Sequence, residues 1–221
     1  MYKRQGLEYV TLHEAIAAGD LTIQEVSEHG IVPKVAAENS GKTAVLVLFG
    51  EELRGAKQNR IANATFLVAP QSRVLLDVSC VEQGRWAPRS TRFQASGAVF
   101  SSVGRRQMAR RVAHSRAAGR GFDADQLQVW DHVETKLRTS GALSSTRAYA
   151  DHLEARAEVT EQITQGFETL PGQVGFVASV GDQVVGLEAI GRPEVFGRSF
   201  RGLIGSYAID ALDEAWVTDG S

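Results

Sequence analysis

The chain has 221 residues, 43% of them hydrophobic and 23% charged, and a formal net charge of −2. That balance is ordinary for a soluble globular protein and allows a core of useful size, unlike disordered or fibrous chains. A lone cysteine, Cys80, excludes an internal disulfide, and no apolar run approaches the ~18–20 residues that span a bilayer.

Taken in order, Thr11-Leu12-His13-Glu14 has the form of a capping box and predicts a short helix over Leu12 to Ala18, with Gly19 at its C-cap. Leu21 to Val26 alternates and reads as a strand. Ile31 to Glu38 reads as another, with Pro33 at an edge or bulge. Asn39 to Lys42 turns into a strongly apolar strand, Thr43 to Phe49. Gly50 to Arg60 then reads as an eleven-residue loop. Ile61 to Val68 and Arg73 to Cys80 follow as strands, so the first hundred residues are mainly antiparallel sheet.

Arg105 to Ala118 predicts a helix with Met108 and Val112 on its inner face. Asp123-Ala124-Asp125 caps a second helix reaching Leu137, with Leu127, Trp130, Val133 and Leu137 as its apolar stripe. Ser145 to Phe167 supports one long helix with Tyr149, Leu153, Val159 and Ile163 inward. Gly181-Asp182 between two apolar runs is a two-residue hairpin signal, and a final helix runs from Phe200 to Trp216. The expected fold is a single α+β domain: β-rich over 7–103, helical over 104–168, and a hairpin plus helix over 173–217.

The densest chemistry lies in Gly50–Arg60. Long polar loops held by a rigid sheet are where binding and catalysis concentrate. Glu51 and Glu52 fit a general acid or base, a hydroxyl contact, or a hold on a divalent cation. Lys57 and Arg60 fit phosphate, while Gln58 and Asn59 fit a base or sugar edge. Past the next strand, Glu82 is a further acid–base candidate. Arg85 is a further phosphate contact, and Trp86 a ring to stack on. The bland reading is a salt-bridged surface loop. Cys80 closes a strand with no histidine nearby and reads first as a small buried hydrophobe.

From Arg85 to Arg120 there are nine arginines, no lysine and no acid. The segment either meets an anion or pairs with acids elsewhere in the fold. The five histidines lack metal-type spacing, so no metal site is expected; the sequence names no cofactor. A pI near 6.2 and a basic helix without interleaved aromatics argue against a dedicated nucleic-acid binder. The N-terminal residues lack a signal core, and a cytoplasmic protein with no membrane contact is the default.

Gly50-Glu51-Glu52 with Gly55 to Arg60, then Val78 to Glu82 with Gly84-Arg85-Trp86, resembles a prokaryotic domain family. It is named for association with ADP-ribosylglycohydrolases and rhodanese-phosphatase proteins. Asp125-Gln126, Val129-Trp130, Gly175-Phe176 and Ser206-Tyr207-Ala208 extend the resemblance over nearly the whole chain. Gln83 departs from it, standing where some relatives carry a basic residue. The resemblance implies a context of NAD-derived or ADP-ribose-type metabolites. The expectation is a protein that binds, and in one version processes, a phosphorylated nucleotide-like metabolite between two converging segments. The alternative is a non-catalytic module that binds a partner protein or forms a homo-oligomer.

Overall fold

The computed structural model describes residues 7–27 and 32–213. The fold is α+β. Its first part contains β1 (Tyr9–Thr11), α1 (Leu12–Ala17), β2 (Leu21–Glu25), β3 (Lys34–Asn39), β4 (Ala44–Val47), β5 (Glu51–Gly55), β6 (Arg60–Ala62), β7 (Phe66–Val68), β8 (Ser72–Cys80) and β9 (Phe93–Val99). The rest contains α2 (Ser102–Ala117), α3 (Gln126–Ser140), α4 (Tyr149–Ala155), α5 (Ala157–Gln165), β10 (Gly175–Val180), β11 (Gln183–Ala189) and α6 (Pro193–Leu212).

The capping box forms: the Glu14 amide donates to Thr11 Oγ1, and the Glu14 carboxylate accepts from the Thr11 amide. Six strands pair in the order β2-β3-β8-β6-β5-β9. A bridge between Gln24 and Arg92 links the two edges, so the sheet curls into a barrel. Its filling includes Ile23, Val35, Leu53, Val78 and Phe93. Ile61 and Val81 point the other way and pack with Phe100, Met108, Val133 and Tyr149 under the helices. Fully burying each such side chain contributes ~1.5–3 kcal/mol. The hairpin β10–β11 is paired antiparallel as expected, and Phe176 from it packs on Phe196 and Phe200 of α6.

Several expectations are corrected. Gly50–Arg60 is not a loop: Glu51–Gly55 is strand β5, paired with both β6 and β9, and only residues 56–59 turn. Its polar residues sit on a strand because Glu51 and Glu52 face away from water in two directions. The single strand over 61–68 divides between β6 and β7, which belong to different sheets. Strand β9 was not expected at all; its small residues hide the apolar period. Pro33 precedes β3, which is an inner strand, while Ile31 lies outside the described residues. The three-stranded sheet β1-β4-β7 includes one parallel pair, β1 with β4. The long helix over 145–167 breaks at Arg156 into α4 and α5. Leu127 and Val159 are exposed; Val129 and Lys136 take buried positions on α3 instead. Asp125 makes no side-chain cap. Helix α6 starts at Pro193 rather than Phe200, and its expected end at Trp216 lies outside the described residues.

Candidate functional site

The two segments singled out in the sequence do converge, and their own hydrogen bonds fill the space between them. The turn after β5 places Ala56 in the left-handed region, at φ 41, a conformation that costs a non-glycine residue energy and persists only when its surroundings impose it. Arg85 imposes it. Its Nη1 donates to the carbonyls of Ala56 (2.6 Å) and Ala87 (2.9 Å), and its Nη2 donates to the Asn59 side chain (3.3 Å). Its Nε and Nη2 grip the Glu82 carboxylate at 2.8 and 2.6 Å. Glu82 also accepts from the Asn59 amide and the Thr146 hydroxyl. Burial pushes the Glu82 carboxyl up, but the bonds from Arg85, Asn59 and Thr146 outweigh it and hold it below its ordinary range.

The neighbours of this knot are buried with it. Gln58 donates to the Glu82 carbonyl and accepts from Arg60. Arg60 is wholly buried, and burial lowers its pKa against the opposing pull of Cys80 and Glu25. Cys80 is buried too, and burial pushes its thiol up. Lys57 and Trp86 lie at the surface side, the ammonium 5.2 Å from the ring centroid. Of the arginines between 85 and 120, Arg85 pairs with Glu82, while buried Arg105 pairs with Glu188 at 2.7 Å.

Glu51 has a different setting. It opens β5 just after Gly50, which sits at φ +80 under the aliphatic stem of Arg105; a β-carbon there would overlap that stem. A residue other than glycine would therefore displace either the turn or Arg105. The Glu51 carboxylate accepts one backbone bond, from Leu48 N at 2.9 Å. Burial raises its pKa to about 7, opposed only by that bond. It lines a pocket of about 390 Å³ together with Thr11, His13, Ser199, Arg198 and Arg201. Arg198 is also ion-paired with Glu14, the capping-box residue. Among the described residues Arg201 has no ion-pair or hydrogen-bond partner.

Glu52, one residue on, points the opposite way. It is wholly buried, its Oε2 accepting from Arg54 Nε at 2.8 Å and its Oε1 without a hydrogen-bond partner among the described residues. Burial pushes its carboxyl up, against the Arg54 guanidinium. Arg54 in turn borders a second pocket, of about 420 Å³, that continues along α6. Thus Glu51 and Glu52 belong to two different walls, and Lys57 to Arg60, Arg85 and Trp86 line neither pocket.

Sequence reasoning missed Arg198 and Arg201. Their signal was spacing: three residues apart on one helix face, between glycines. It also missed a buried polar network joining four helices. Lys136 of α3 bonds Asp210 of α6 (2.5 Å) and Asp213 (2.8 Å), and Asp210 accepts from the Ser102 hydroxyl and the Val103 amide. His132 meets Ser101 Oγ at 2.7 Å, and His152 lies 3.6 Å from Asp213. Burial lowers both histidines to about 4, so both are neutral at pH 7. Among the described residues no group of three or more His, Cys, Asp or Glu is placed to hold a metal ion. No helix among them is long and apolar enough to cross a membrane.

The fold and its pockets define a mixed α+β protein with a curled sheet, a helical cover and polar clefts along its last helix. The chain belongs to the ARG and rhodanese-phosphatase-superfamily-associated protein domain family, whose pattern matches residues 2–220. No curated protein and no solved structure matched it.

Proposed function

We propose that the protein binds a phosphorylated, nucleotide-like metabolite beneath the first half of α6, and that Glu51 carries a proton there. One observation supports this most. A buried carboxyl with a pKa of about 7 lines a pocket that also takes two guanidinium groups. A carboxyl poised near neutrality serves equally as acid or base, and arginine forks suit phosphate oxygens. Arg198 and Arg201 would hold the anion, with His13 and Ser199 at the rim. The knot of Gln58, Asn59, Arg60, Glu82 and Arg85 would brace the sheet that presents Glu51. The ADP-ribose context implied by the resemblance makes ADP-ribose and NAD the first ligands to try.

The test is a thermal-shift screen of the full chain against ADP-ribose, NAD, sugar phosphates and common nucleotides. A ligand at a hundredfold excess over its Kd stabilises by ~2.7 kcal/mol, and Arg201→Ala should abolish that shift. A flat response to the whole panel would remove the reading.

A second reading, a self-associating module, draws on one feature. The outer face of the β10–β11 hairpin exposes Val177, Val184 and Leu187 at 60%, 72% and 68%. Apolar faces of this kind mark interfaces. Sedimentation of the wild type beside Leu187→Lys decides it: a dimer that becomes a monomer supports the module, and a monomer in both removes it.

A further inference from the structure

The pocket holding Glu51 and the one bordered by Arg54 share four residues: Gly97, Val99, Arg201 and Gly202. A close approach of helix to sheet lies among these shared residues. Gly97 of β9 adopts φ +77, and a β-carbon on Gly202 would overlap its carbonyl oxygen. Helix α6 therefore comes close to the β9 backbone at Gly202, beside Val99, which shares a cluster with Val195, Phe196, Phe200 and Leu203 of the helix, and both clefts border this approach. Arg201 borders both clefts.

The two clefts differ in chemistry. The one around Glu51 carries Arg198 beside Arg201. The other brings hydroxyl and carboxylate groups to the same face: Ser96, Thr160, Thr164, Glu154 and Glu161. The Thr160 hydroxyl oxygen is buried at the wall of this cleft and, among the described residues, has no hydrogen-bond partner. A polar group buried without a partner costs free energy unless a ligand or water completes it. Carboxylates and hydroxyls accept from sugar hydroxyls, as an acidic residue does for ribose in dinucleotide sites. The midpoints of the two clefts along α6, near residues 200 and 205, lie ~8 Å apart at 1.5 Å per residue, a span that one sugar phosphate or sugar diphosphate can bridge.

We propose that these clefts are two halves of one site, taking a ligand with phosphate at one end and a polyhydroxylated sugar at the other. Arg201 meets the phosphate at the junction, and Thr160 and Glu161 meet the sugar hydroxyls. The assignment rests on the reading that the Glu51 pocket takes a phosphorylated ligand, and it adds the sugar and its position.

Calorimetric titration of the full chain with inorganic phosphate, pyrophosphate, ribose 5-phosphate and ADP-ribose separates the two ideas. The sugar-bearing ligands should bind at least tenfold more tightly than the sugar-free anions. Thr160→Val and Glu161→Gln should each erase most of that advantage, leaving phosphate and pyrophosphate binding unchanged. Glu161 is exposed and Thr160→Val is close in shape, so unchanged melting of the free variants shows that both fold. Equal affinity for sugar-bearing and sugar-free anions overturns the two-part site while the phosphate pocket stands. So does loss of all four ligands alike in the Thr160 and Glu161 variants. Absence of binding by every phosphate compound overturns both.

Discussion

Glu51 opens β5 and Glu82 follows β8, two strands of one curled sheet with β6 between them, and both carboxylates are shut away from water, yet their protons behave oppositely. Glu82 is saturated with donors: both ends of Arg85, a backbone amide and a threonine hydroxyl. Its carboxyl stays ionised, and its bonds hold a turn in place. Glu51 has a single backbone donor and is held near neutrality by burial. The difference teaches how one polar segment divides its work. A carboxylate given every donor it can accept is part of the scaffold, while one deprived of donors beside a cleft is available for chemistry.

The largest expected effect breaks the scaffold side. Arg85→Ala takes the close guanidinium from buried Glu82, leaving it the Asn59 amide, the Thr146 hydroxyl and Arg89 at 3.9 Å, and should cost ~3 kcal/mol in denaturant unfolding. A loss below ~1 kcal/mol would mean that the knot does not brace the sheet. The poised side is sharpened by pH. Glu51 is raised above its unfolded value of 4.5, so its contribution is complete below pH 4.5 and is lost as pH rises through about 7. At 1.36 kcal/mol per pKa unit the loss is ~3 kcal/mol. His132 and His152 run the other way. Each is lowered from 6.5 to about 4, so each stabilises fully above pH 6.5 and that stability falls away toward pH 4. Between pH 4.5 and 6.5 the gain from the two histidines is therefore opposed by Glu51 and by Glu52, whose carboxyl burial also raises. Glu51→Gln should gain more steeply than wild type, with the two curves parallel above pH 8. Parallel curves throughout would place Glu51 in an ordinary, solvated setting.

Smaller effects test the contact between α6 and β9. Gly202→Ala drives a β-carbon into the Gly97 carbonyl and should cost ~1–3 kcal/mol, partly offset by better helix propensity. It should also weaken ligand binding in both clefts, whereas Gly197→Ala, with open space at its β-carbon, should leave binding alone. Smallest of all, Lys57→Ala removes a surface cation–π contact with half-exposed Trp86. It should change unfolding by less than ~1 kcal/mol and leave ligand binding unchanged.

Much of this architecture can be read locally. The capping box at Thr11–Glu14, the Gly181-Asp182 hairpin, Met108 and Val112 as the inner face of α2, and a polar segment around Glu51 all follow from periodicity and turn chemistry. Glu51 itself was legible as an acid–base candidate because it stands between an apolar strand and a run of charges. What periodicity cannot report is a partner far along the chain. Lys136 looks like one more solvated helix lysine until Asp210, 74 residues later, is folded against it.

The amino-acid pattern alone determined the α+β class and the order of most elements, while the meeting of the two polar segments was an expectation that only the folded chain could bear on. Tertiary structure decided which charge is saturated and which is left poised. It gave Arg85 to Glu82, left Arg201 without a partner among the described residues, and set Glu51 and Glu52 in opposite walls. The reason is physical: backbone propensity and side-chain period act over a few residues, whereas desolvation and hydrogen-bond supply depend on what the rest of the chain brings alongside.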